Sequence, residues 1–204
     1  MSALGKSAIV DRLTKRDLVV APILAPDQIG GSSIDLRFGT VVLIARAGRQ
    51  SHVDPSAYRT SSGHGDIESR KQKHERFDVP FRESFLLHPG MLALVPTLEW
   101  VKIPEDLQGI VTTRSSWARE GLNIATATII NPGYVGVITL ELANFGEIPI
   151  KLHPGLRIAQ IAFYDLRSLV PGTGGGSPAS QFQLAFEPEA GNISRSDEKF
   201  LPKV

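Results

Sequence analysis

Two short stretches carry residues whose types and spacing suit chemistry. Arg114-Ser-Ser-Trp-Ala-Arg119 sets two hydroxyls beside an arginine, with a second arginine five residues on. At the start of a helical turn, hydroxyls, backbone N–H groups and guanidinium groups make an anion site suited to a polyphosphate. An ordinary helix start fits the same pattern. The second stretch is Val137-Ile-Thr-Leu-Glu-Leu142. Its alternation puts Val137, Thr139 and Glu141 on one face of a strand and Ile138, Leu140 and Leu142 on the other. A carboxylate on a covered face costs free energy unless it is paired or used. Burial also raises its pKa toward the range useful for a general base. A solvent-facing Glu on a half-exposed strand fits the pattern too.

The elements that must position these residues read as short strands. Gly31-Ser-Ser-Ile-Asp-Leu-Arg-Phe-Gly39 alternates, with Ile34, Leu36 and Phe38 facing one way and Asp35 and Arg37 the other. Val41–Arg46 is expected to pair near it. Ser84–Leu94 is two apolar runs around a Pro-Gly turn of type II chemistry. The quartet Leu87-His-Pro-Gly90 recurs as Leu152-His-Pro-Gly155, which suggests two similar corners, with both His packing at corners rather than binding metal. Gly109–Thr113, Leu122–Ile130, Ile148–Leu152 and Leu156–Tyr164 add further strands, and Asn131-Pro-Gly-Tyr134 is a tight turn. Residues 5–15 predict one short helix, with Ser7 as its cap. About ten short strands without a long periodic helix argue for a sandwich or a distorted barrel.

Composition removes other classes. The 204 residues fit one domain, or one domain with a tail. Lys and Arg number 22 against 21 Asp and Glu, so no strong field draws the chain to nucleic acid or an anionic membrane. With no Cys, thiolate zinc sites, iron–sulfur sites, disulfides and Cys nucleophiles are excluded. There is no H-x-E pair of a zinc base deaminase, no Walker loop and no G-x-G-x-x-G after a strand. The start, broken by Lys6, Asp11 and Arg12, is not a secretory signal, and no window has the about 18 apolar residues of a membrane span. A soluble, cytoplasmic protein is expected. Residues 47–76 are polar and read as a surface excursion, with the charge cluster Glu68–Arg76 a solvated face. Pro171–Ser180 is a glycine-rich hinge, and Gln181–Val204 is either a disordered tail or a lid that closes on a ligand.

Five segments together resemble the dCTP deaminases, a branch of the dUTPase-like superfamily, over about Ile9 to Leu166. They are Gly31–Gly39, Leu87–Leu94, Arg114–Arg119, Asn131–Leu142 and Leu152–Phe163, in the family's order and spacing. The resemblance implies an all-β, dUTPase-like distorted barrel of jelly-roll or β-clip type with a short N-terminal helix. It implies one deaminase domain over 1–170 and a homotrimer whose sites form between subunits. It also implies hydrolysis of dCTP to dUTP and ammonia without zinc, with Mg²⁺ carried on the substrate triphosphate. Glu141 matches the general base. Ser115 and Arg119 match residues that hold the catalytic water and the Glu. Arg114, Ser115 and Ser116 match the triphosphate cradle, Asn131 the position facing the sugar, and Thr139 and Leu140 the positions whose backbone reads the base. In the tail, Arg195 is the candidate for a bond to the triphosphate.

The chain departs from the family pattern at Thr113, where a Gly is usual, and at Asn131, where an Asp is usual. It is one residue shorter between Gly121 and Tyr134, and its tail has no equivalent of the lid Lys. Two other readings therefore stand beside a dCTP deaminase. One is a dUTPase or a bifunctional enzyme that also removes pyrophosphate, and the other is a nucleotide-binding homologue without catalysis.

Overall fold

The computed structural model describes residues 2–45, 74–124, 128–166 and 184–188. Its elements in chain order begin with β1 (Ser2–Ala3), a helix (Lys6–Lys15), β2 (Val19–Ala21), a 3₁₀ turn (Pro26–Gln28) and β3 (Ile34–Arg37). Then come β4 (Val41–Ala45), β5 (His74–Asp78), β6 (Phe85–Leu87), β7 (Leu92–Lys102) and β8 (Leu107–Thr113). A helical turn (Ser115–Ala118) leads to β9 (Leu122–Ile124), β10 (Ile129–Ile130), β11 (Val135–Asn144), β12 (Ile150–Leu152) and β13 (Arg157–Asp165). Among the described residues every pairing is antiparallel. In one sheet β13 pairs with β8 along one edge and with β3 and β1 along the other, and β10 extends β8. In the second the order is β5-β4-β7-β11-β9, with β2 also on β7. β6 and β12 make a two-stranded third sheet.

The period-2 patterns set the inner faces. Ile34, Leu36 and Phe38 are all fully buried, as are Ile158 and Ile161 of β13, and Ile138, Leu140 and Leu142 of β11 join the same core. Those three β11 side chains are therefore core of the single chain, not a face left for a subunit contact. The other face of β3 is not open, because Arg37 is itself buried.

Three local expectations are corrected. The N-terminal helix spans Lys6–Lys15, but its cap is Gly5, with no side-chain capping bond, so Ser7 lies inside the first turn. β4 does not pair with β3, because the chain changes sheets between them at Gly39. There the Gly39 N–H donates to the Pro96 carbonyl at 3.0 Å, and a Cβ would sit 2.5 Å from that oxygen, so only glycine lets the two backbones approach. The polar excursion ends earlier than residue 76, because His74–Asp78 forms β5 on β4. The rest of it, 47–73, lies outside the described residues, as does the expected hinge 171–180.

The repeated quartet has a structural reason. Each copy ends a strand of the same small sheet, Phe85–Leu87 pairing with Ile150–Leu152, and each closes on a glycine of positive φ, Gly90 at 74° and Gly155 at 91°. That is the conformation the Pro-Gly pair was expected to supply. His88 is exposed rather than packed at its corner, whereas His153 is half-buried with its Nδ1 2.8 Å from the Glu83 carbonyl oxygen.

Candidate active site

Arg114 follows directly on β8 with extended backbone, and its N–H donates to the Ile158 carbonyl of β13 at 3.0 Å. The chain then turns into Ser115–Ala118, where the Trp117 and Ala118 N–H groups both donate to the Arg114 carbonyl. Ser115, Ser116 and Arg119 are exposed and Arg114 is half-buried. Trp117 fixes the turn on the sheet, since its indole Nε1–H donates to the Arg157 carbonyl at 3.0 Å. Arg114 Nη1 reaches the same carbonyl at 3.5 Å, and its Nε lies 3.3 Å from Asp35 Oδ1. Two guanidinium groups and two hydroxyls thus border one exposed turn.

Glu141 sits near the middle of β11, opposite Leu94 of β7, and is half-buried between the fully buried Leu140 and Leu142. Leu140 buries its side chain in the core, so only its backbone is available to a ligand. β7 covers one edge of β11. On the opposite edge β9 pairs with Leu142–Asn144, and at the other end the tail bonds to Val135 and Val137.

β9 ties the two clusters together within one chain. Thr113, immediately before Arg114, accepts a hydrogen bond from the Ile124 N–H at 2.8 Å, and Ile124 pairs with Leu142, the neighbour of Glu141. The Thr at this position thus carries a bond that a Gly could not make. Asn131 is exposed in the turn that leads into β11, with its carbonyl accepting from the Tyr134 N–H. Residues 125–127 and Arg195 lie outside the described residues.

A family model of dCTP deaminase-like proteins matches residues 3–166. The chain belongs to the dCTP deaminase-like family. A dCTP deaminase of Halorubrum lacusprofundi is 38% identical over 199 residues, covering 97% of this chain and 93% of that one. A dCTP deaminase, dUMP-forming, of Methanobrevibacter smithii is 35% identical, covering 80% of each. Another so named, from Dictyoglomus turgidum, is 39% identical over 76% of each. Among solved structures, the 2′-deoxycytidine 5′-triphosphate deaminase of Agrobacterium tumefaciens superposes with a TM-score of 0.58 at 24% identity. It matches 79% of this chain, which spans 47% of that longer one. The all-β fold expected from the motifs is the fold of this dCTP deaminase-like chain.

Several residues of this family member escaped the reading of its sequence. Asp35 joins Arg114 on one side to Arg157 on the other, where its Oδ2 lies 3.4 Å from Arg157 Nη1. Asp27 of the 3₁₀ turn also holds Arg157, at 2.9 Å, and the guanidinium keeps the Asp27 carboxyl below its ordinary pKa. Behind them lies a buried polar network. Glu99 is fully buried and accepts hydrogen bonds from Gln28 Nε2 at 2.9 Å, the Arg37 N–H at 2.8 Å and Arg37 Nη1 at 3.0 Å. Burial pushes the Glu99 carboxyl above its ordinary pKa, against the pull of the Arg37 bonds. The alternation at Asp35 and Arg37 was the available signal, but it reads as a solvent face when the partners are far off in sequence.

Proposed function

We propose that the chain is a hydrolase that deaminates dCTP, forming dUTP and ammonia, with Glu141 as general base. The observation that carries this is the half-buried Glu141 on β11, joined through β9 to the Arg114–Arg119 turn. The cytosine edge lies against the Thr139 and Leu140 backbone. Glu141 takes a proton from water as the oxygen attacks C4, and returns a proton to the amino group, which leaves as ammonia. Ser115 and Arg119 orient the water and the carboxylate. Arg114, Ser115 and Ser116 hold the triphosphate through charge-assisted hydrogen bonds, Asn131 faces the sugar, and Arg195 adds a tail contact.

Magnesium enters with the substrate. Asp35 is engaged by Arg114 and Arg157, and Asp27 by Arg157, so the protein side of the cradle offers cations and hydroxyls. That donor set fits an ion held by phosphate oxygens rather than by a protein cage. We also propose a homotrimer and a cytoplasmic setting, in keeping with the family resemblance. Sedimentation tests the first, where a stable and fully active monomer would exclude a shared site.

A second reading is a dUMP-forming enzyme, the name carried by the Methanobrevibacter and Dictyoglomus relatives. One assay separates the readings. Turnover of dCTP, dUTP and CTP with Mg²⁺ is followed by ammonia and pyrophosphate separately. Ammonia alone supports the first reading, both products from dCTP the second, and neither product would sink both. In the same assay Glu141→Gln is expected to abolish ammonia release while leaving dCTP binding within about tenfold, because the amide keeps its size but cannot take a proton. Substantial residual turnover would remove Glu141 from the mechanism.

A further inference from the structure

We infer that Asp35 is a positioning residue for the phosphate cradle, aiming the Arg114 guanidinium at the ligand anion from the far side of β13. The inference rests on the proposed role of Arg114 and extends it. β8, which delivers Arg114, and β3, which carries Asp35, pair with opposite edges of β13. The Asp35 carboxylate spans that strand. Oδ1 lies 3.3 Å from Arg114 Nε, and Oδ2 lies 3.4 Å from Nη1 of Arg157, a residue of β13 itself. With Nε facing Asp35 and Nη1 turned to the Arg157 carbonyl, the rest of the guanidinium, on a side chain 35% exposed, is presented outward.

The carboxylate is itself held. Gln28 Nε2 donates to the Asp35 carbonyl at 2.9 Å and to Glu99 Oε1 at 2.9 Å, so the backbone of Asp35 is tied to the buried Glu99. Asp27, next to Gln28, takes up Arg157. One 3₁₀ turn therefore fixes both the backbone of Asp35 and the second arginine that Asp35 touches. The Asp35 side chain is only 14% exposed, so it is shielded from water in a way that a surface pair is not. Asp35 touches no ligand in this scheme. It acts by removing freedom from Arg114, because a guanidinium already aimed loses less rotamer entropy on binding.

A double-mutant cycle tests this. Asp35→Asn, Arg114→Ala and the double variant are titrated with dCTP by calorimetry and followed by steady-state kinetics. The same titrations use inorganic triphosphate, which reads the cradle without the base, so that loss of dCTP chemistry and loss of the cradle are told apart. Asp35→Asn is expected to weaken both ligands about tenfold, the scale of one misdirected charge-assisted bond. It should change kcat much less than KM. In the Arg114→Ala background Asp35→Asn should have no further effect on affinity, and Asp35→Glu should recover part of the loss. The far-ultraviolet spectrum and Tm of Asp35→Asn check that the fold persists. The proposal is overturned if Asp35→Asn leaves triphosphate affinity unchanged or improves it, if its effect persists in full without Arg114, or if the wild-type chain does not bind triphosphate. Affinity with kcat lost instead of KM raised would assign Asp35 to the chemistry and equally refute positioning.

Discussion

Glu99 is the residue whose removal the fold should tolerate least. It is fully buried, its partner Arg37 is 7% exposed, and its carboxylate satisfies three donors at once: the Arg37 amide, the Arg37 guanidinium and the Gln28 amide. Glu99→Leu leaves the guanidinium in the core without a counter-charge, and Arg cannot shed its proton. Breaking a buried pair in this way costs about 3–5 kcal/mol. For a chain of this size that corresponds to a fall in Tm of about 10 °C, at roughly 2–4 °C per kcal/mol. The reverse change, Arg37→Met, is predicted to cost less, about 2 kcal/mol, because two donors remain on the carboxylate and because Glu99 can escape its burial by taking a proton. Burial has already pushed its pKa in that direction. Thermal and urea unfolding followed by circular dichroism measure both variants. An Arg37→Met chain as unstable as Glu99→Leu would refute the asymmetry and the reading of Glu99 as the hub.

The remaining predictions can be checked on the same samples. A carboxyl whose pKa is raised on folding contributes stability that is complete below its unfolded value and lost as pH rises through the folded value. The cost of Arg37→Met should therefore grow as pH rises from the ordinary glutamate value of 4.5, since the variant lacks the bonds that oppose the rise; a cost that shrinks over this range would show the sign to be wrong. Thr113→Val strands the Ile124 N–H and should lower unfolding free energy by about 1–3 kcal/mol by urea titration, with no change counting against the tie between the two clusters. In the tail, the Leu184 N–H donates to the Val135 carbonyl at 2.6 Å, and the Val137 N–H to the Ala185 carbonyl at 2.9 Å. A Cβ on Gly136, whose φ is 147°, would meet the Ala185 N and O at 3.1 Å. Gly136→Ala, like deletion after Pro171, should therefore raise the dCTP KM while leaving the strands folded, and unchanged kinetics in both would make the tail a passive extension.

What could be read in the sequence, and what could not, divides along a physical line. The alternations at Ile34–Phe38 and Val137–Leu142 are local, and the apolar face of each lies in the core, although Arg37 and Val137 on the opposite faces are buried as well. The Pro-Gly corners are local too, and their two strands turned out to share a sheet. The placement of β4 was not legible, since it depends on Gly39 meeting Pro96, a contact between segments far apart in the chain. The family motifs marked Arg114–Arg119 and Glu141 because those segments carry their functional groups in sequence. They were silent on Asp35, Arg157 and Glu99.

Those three act at a distance. Asp35 meets Arg114 only because β3 and β8 flank the same strand, and Glu99 meets Arg37 at the point where the pairing of β7 with β11 slips, between Trp100–Val137 and Pro96–Thr139. At that slip the Thr97 hydroxyl accepts from the Ile138 N–H and donates to the Glu99 carbonyl, so the irregularity is satisfied internally. A period-2 reading has no way to register such a break, and it assigns a charged residue within an apolar strand to solvent. The same break begins one residue before Thr139 and three before Glu141. The buried carboxylate behind the proposed cradle and the half-buried carboxylate proposed to do the chemistry are therefore arranged around one interruption of one strand pair. A substitution that restored regular pairing at Thr97–Glu99 would be expected to disturb both.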